Sequence, residues 1–90
     1  MQITYDITKR NKTLIERGLD FADAKAVFAG HHFTAEDLRQ DYGEVRLISI
    51  GLIQERMVVL VWTPRGEDRR IISMRKANER EQVLYAHRLG

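Results

Sequence analysis

Cysteine is absent from this ninety-residue chain, which excludes a disulfide framework and a thiolate metal site. The histidines are too few and too scattered to replace it, because His31 and His32 adjoin but His87 stands far away. No cofactor is expected. Gly51 lies in a run rich in Val, Ile and Leu without further glycines, so it suggests a strand bulge and not a phosphate-cradling loop. Long apolar runs are missing as well. The longest, Met57 to Trp62, is far too short to span a bilayer, and MQITYDITKRN lacks the apolar core of a secretory signal. A soluble, cytoplasmic protein without membrane contact is the expectation.

A large excess of either charge is missing too. Fifteen basic residues face thirteen acidic ones, far from the balance of a protein that coats nucleic acid indiscriminately. The distribution is uneven. Residues 20–44 hold six acids against Lys25 and Arg39, whereas residues 45–80 hold eight bases against four acids. Eleven of the fifteen bases are arginine, whose planar guanidinium can grip a phosphate through two parallel hydrogen bonds. The same arginines also suit a solvated sheet surface with local ion pairs.

Ninety residues suffice for one domain with one core. The alternation in Gln-Ile-Thr-Tyr suggests a short first strand. Asp6 then caps a helix over about Ile7 to Arg17, expected to bury Ile7, Leu14 and Ile15 and to end at Gly18. Asp20 opens a second helix in which Phe21, Ala24, Val27 and Phe28 recur at helical spacing, closed by Gly30. HHFTAEDLRQDYG is polar and irregular, with room for a strand near His32 to Thr34 and a turn at Asp41 to Gly43. EVRLISIGL, RMVVLVWT and RRIISMR then form an antiparallel meander, joined by IQE and PRGED, and a third helix spans about Lys76 to Leu89. The expected class is α+β: two N-terminal helices on a mainly antiparallel sheet of four or five strands, with a C-terminal helix.

Strand alternation sends Arg69, Ile71, Ser73 and Arg75 to one sheet face and Arg70, Ile72 and Met74 to the other. If the helices cover Ile72 and Met74, then Arg69, Ser73 and Arg75 look outward, and Arg46 can join them. Such a cluster suits the pentacovalent phosphorane of RNA cleavage. For proton transfer the chain offers Glu44, His31, His32, His87 and Tyr85, none singled out by spacing. Each has a plainer reading, such as a cross-strand ion pair for Glu44 and Arg46 or an i, i+4 pair for Glu81 and Tyr85. Phe33 and Trp62 could stack a base, although Trp62 ends a buried-looking strand.

Three segments carry a resemblance over nearly the whole chain: YDITKRNKTLIERGLDFADAKAVF, YGEVRLISIG and TPRGEDRRIISMRKANEREQVLY. They resemble the BrnT family of toxins from bacterial type II toxin–antitoxin systems. The last segment is the most specific, an arginine-led strand running into S-x-R-K-A-N-x-R-E with a tyrosine four residues on. Departures lie at Thr13, where the family usually has Asn, and at Glu16 and Arg17, where it usually has Lys-His. The resemblance implies one RelE-like toxin domain over residues 1–90 and a metal-independent ribonuclease that blocks translation. It implies as partners RNA and a BrnA-type ribbon-helix-helix antitoxin, in a hetero-oligomer such as a 2:2 tetramer that reaches operator DNA only through the antitoxin. On it, Arg46 and Arg75 are assigned to the scissile phosphate, Glu44 is nominated as general base, and Arg65, Arg69, Arg70 and Lys76 are assigned to backbone phosphates. The competing reading is a non-catalytic nucleic-acid- or protein-binding module, such as an operon co-repressor.

Overall fold

The computed structural model describes residues 1–89. Its elements are β1 (Ile3–Tyr5), α1 (Ile7–Arg17), a 3-10 turn (Phe21–Asp23), α2 (Ala24–Ala29), β2 (His32–Glu36), β3 (Leu47–Ile53), β4 (Arg56–Arg65), β5 (Asp68–Lys76) and α3 (Glu79–Leu89). The five strands form one sheet in the order β1-β5-β4-β3-β2. The meander and β2 pair antiparallel, but β1 runs parallel to β5, so the sheet is mixed.

Local chemistry accounts for most boundaries. The Asp6 carboxylate accepts from the Lys9 N–H at 3.0 Å, and Gly18, at φ 69°, ends α1 by donating its N–H to the Leu14 carbonyl. Gln54 and Glu55 both have positive φ and make the tight turn that a right-twisted β3–β4 hairpin favours. Pro64 is paired within β4, opposite Arg69, so the second hairpin turns only at Gly66 and Glu67.

A core lies on each side of the sheet. On one side Leu19, Phe21, Ala24 and Val27 pack against Val58, Leu60, Trp62, Ile71 and Met74. On the other, Leu89 and Ala77 pack with Ile50, Met57 and Val59, while Tyr85 covers them in part. This double covering explains why β4 is the most continuously apolar strand.

Three expectations are corrected. First, α1 buries none of its apolar residues: Ile15 is 84% exposed and Ile7 59%. The stripe of α1 turned inward is polar. Arg10 binds Asp20 through two hydrogen bonds of 2.9 and 2.8 Å, and Arg17 donates to the Met74 carbonyl at 2.8 Å. Second, Gly51 marks no bulge. A Cβ there would stand 2.7 Å from Val27 Cγ1, so the glycine lets α2 press onto β3. Third, the bulge is in β5. Val61 pairs with Ser73 but Trp62 pairs with Ile71, which leaves Ile72 as the extra residue and inverts the alternation. Arg69 and Ile71 therefore share the face of Met74 beneath the helices, and Ser73 and Arg75 take the opposite face.

Replacing Gly51 with valine is expected to cost about 1–3 kcal/mol through overpacking against Val27. Urea denaturation of the two proteins checks this, and equal midpoints would mean that α2 does not press on β3 as described.

A candidate phosphate-binding groove

β5, β4, β3 and β2 present two register rows on the face opposite α1 and α2. One row is Arg75, Val59, Ile50 and Phe33; the next is Ser73, Val61, Ile48 and Ala35. α3 covers only part of this face. Between α3, the rows and the loop after β2 lies a groove of about 440 Å³, walled by Arg39, Arg75, Glu81, Leu84, Tyr85 and Phe33.

Arg75 is held at one wall by Glu81, with Nη1 and Nη2 each donating at 2.8 Å to the two carboxylate oxygens. Glu81 also accepts the Asn78 N–H, while Asn78 Oδ1 accepts the Glu81 N–H, a reciprocal cap that starts α3. One carboxylate thus fixes both a helix terminus and a guanidinium. The Arg75 guanidinium pulls the Glu81 pKa down from 4.5 to about 2, and the Asn78 N–H adds to this. Arg75 remains 46% exposed and lines the groove, its Nη1 also donating to the Lys76 carbonyl at 3.4 Å.

Arg39 stands in the loop after β2. Its Nε and Nη2 donate to the Asp37 carboxylate at 2.8 Å each, and Tyr42 Oη donates to the same group at 2.9 Å. The Asp37 side chain is fully buried, and these bonds, from Arg39 above all, hold it ionised well below the usual carboxylate range. Arg39 itself is 68% exposed. The Glu81 carboxylate raises the Arg75 pKa above its ordinary value, and the positive charge of Arg39 is the smallest of the effects that oppose this.

The remaining predicted residues divide by sheet face. Glu44 bridges Arg46 at 3.2 Å and Arg65 at 3.1 Å, and those two partners, Arg65 foremost, lower its pKa. Arg46 lies over the Tyr42 ring at 4.2 Å, which connects this cluster to Asp37 and Arg39. By alternation Arg46, Arg65 and Arg70 share the face of Arg75. They stand beyond the groove, however: Arg46 is four residue steps further along β4 than Arg75, about 13 Å, and two strands away. Arg46 does not line the groove, whereas Arg39 lines it together with Arg75. Glu44 does not line the groove. Among the described residues, Glu81 is the one carboxylate that does.

Arg69 and Lys76 lie on the other face. Arg69 stacks over Phe28 at 4.1 Å and Trp62 at 4.9 Å, because the bulge at Ile72 turns it beneath the helices. Lys76 pairs with Val58 and shares the face of Met74. Trp62 is core, its Nε1 donating to Ser49 Oγ at 2.8 Å. Arg39 was not singled out from sequence. Its only signal was an acid two residues earlier in an irregular stretch.

A family model described as "Ribonuclease toxin, BrnT, of type II toxin-antitoxin system" matches residues 5–81. The chain belongs to this BrnT family. The match takes in every groove-lining residue except Leu84 and Tyr85. No curated relative matches the chain. Among the described residues no helix is long and apolar enough to cross a membrane.

Because its folded-state pKa is depressed, Glu81 contributes stability above about 4.5 that is lost as pH falls towards about 2. Melting temperature measured against pH is expected to fall over that window more steeply for the wild type than for Glu81→Gln. Parallel curves would mean that the Arg75–Glu81 pair is broken in solution.

Proposed function

We propose that this BrnT chain is a metal-independent endoribonuclease, acting as one RelE-like toxin domain that stops translation in the cytoplasm by cutting RNA. The observation that carries the reading is the pair of exposed guanidiniums, Arg39 and Arg75, turned into one groove and each braced by its own carboxylate. Bracing orients a guanidinium without using all five of its N–H groups, so a phosphate entering between the two meets donors already aimed at it.

In the reaction the ribose 2′-oxygen attacks the neighbouring phosphorus and the bond from phosphorus to the 5′-oxygen breaks. Arg39 and Arg75 stabilise the charge on the phosphorane. A phosphate that takes hydrogen bonds from Arg75 weakens its hold on Glu81, and the carboxyl pKa rises towards its ordinary range. Glu81 then accepts the 2′-hydroxyl proton, a role the sequence reading gave to Glu44, and water protonates the leaving 5′-oxygen. Arg46, Arg65 and Arg70, further along the same face, bind flanking phosphates. Glu44 keeps Arg46 and Arg65 in place.

The natural inhibitor in this reading is a BrnA-type ribbon-helix-helix antitoxin, joined with the toxin in an assembly such as a 2:2 tetramer that reaches operator DNA through the antitoxin. An acidic antitoxin segment over the arginine face would exclude RNA by occupying the same donors.

Purified protein is expected to cut RNA in the presence of EDTA, and Arg75→Ala and Arg39→Ala each to lower kcat/KM by about a hundredfold or more. Arg46→Ala should act mainly on KM, while Arg69→Ala leaves cleavage near the wild-type rate. Full activity in both Arg39→Ala and Arg75→Ala would exclude the groove as the site.

A further inference from the structure

The groove contains more than a phosphate requires. Its floor is aliphatic, formed by Ile48, Ile50, Val59 and Val61, and one side is aromatic. Phe33 stands in the same register row as Arg75, three strands away, about 14 Å between backbones. Both side chains line the groove. The Phe33 ring is 37% exposed although β2 is an edge strand with ample polar company, and it belongs to neither core. Tyr85 backs it, the two centroids 5.6 Å apart and the planes tilted by 39°, and the Arg88 guanidinium lies 5.4 Å from the Phe33 centroid.

Charged donors at one wall, an apolar floor and a braced aromatic at the far wall reproduce the division within a nucleotide between phosphate and base. Resting on the ribonuclease reading above, the geometry points to Phe33 and Tyr85 as a nucleobase subsite. The base attached to the ribose beside the Arg39–Arg75 phosphate stacks on the exposed Phe33 ring, and Tyr85 keeps that ring upright. A stacking surface reads the π-face common to all four bases, so it binds any sequence and serves to place the phosphate.

The test is binding of a short oligoadenylate, 2′-O-methylated to prevent cleavage, compared with the same strand lacking its bases. Phe33→Ala and Phe33→Leu are expected to bind the intact strand about tenfold more weakly than wild type and the abasic strand equally well. Phe33→Trp should restore tight binding. A purely structural role for Phe33 would weaken both strands alike, and that result, or wild-type discrimination retained in Phe33→Ala, overturns the subsite. The comparison does not depend on turnover: a wild type that binds the strands as expected yet leaves RNA intact refutes the ribonuclease reading alone.

Discussion

The two-pronged hydrogen bond between Arg75 and Glu81 is the constraint on which the site depends. It joins the end of β5 to the first turn of α3, and the reciprocal cap with Asn78 makes that turn form where the carboxylate is needed. α3 places Leu89 and Tyr85 over the sheet and leaves the rest of that face open. Without the pair, Arg75 would be a flexible surface cation and α3 would be held to the sheet by the packing of Leu89 and Tyr85 alone. With it, the guanidinium is oriented before any ligand arrives, which lowers the entropic cost of binding an anion.

The same device recurs. Arg39 is braced by buried Asp37, and Arg46 and Arg65 are braced by Glu44. Each carboxylate removes one unit of net charge but fixes a fork of donors in place. This reconciles the modest overall charge with a face that carries five arginines. A toxin whose action must be blocked by a protein partner gains from such a face, because affinity comes from placed donors that a partner's acidic groups can also satisfy.

Much of the fold was legible in the sequence because periodicity, caps and turn residues agreed. Asp6 and Gly18 bound α1 as read, and the three β-rich runs became β3, β4 and β5. The site was less legible. A single extra residue, Ile72, inverted the facing of Arg69 while leaving the strand pattern intact, and nothing in RRIISMR distinguishes a bulged strand from a regular one. Arg39 lay in a loop, where no periodicity reports direction. The inward side of α1 departs from the apolar pattern because Arg10 and Arg17 find partners on the body of the protein, and charge satisfaction overrides that pattern. The family match supplied the class of activity that these residues alone left open.

In the proposed reaction Arg39 and Arg75 together receive the RNA phosphate. NMR spectra of arginine Nε–H groups, recorded while a 2′-O-methylated oligoribonucleotide is added, test it most directly. The Arg39 and Arg75 signals are expected to move first and together, with Arg46 and Arg65 following as longer strands are used. Movement confined to Arg69 and the basic residues of α1, with Arg39 and Arg75 unchanged, would contradict it.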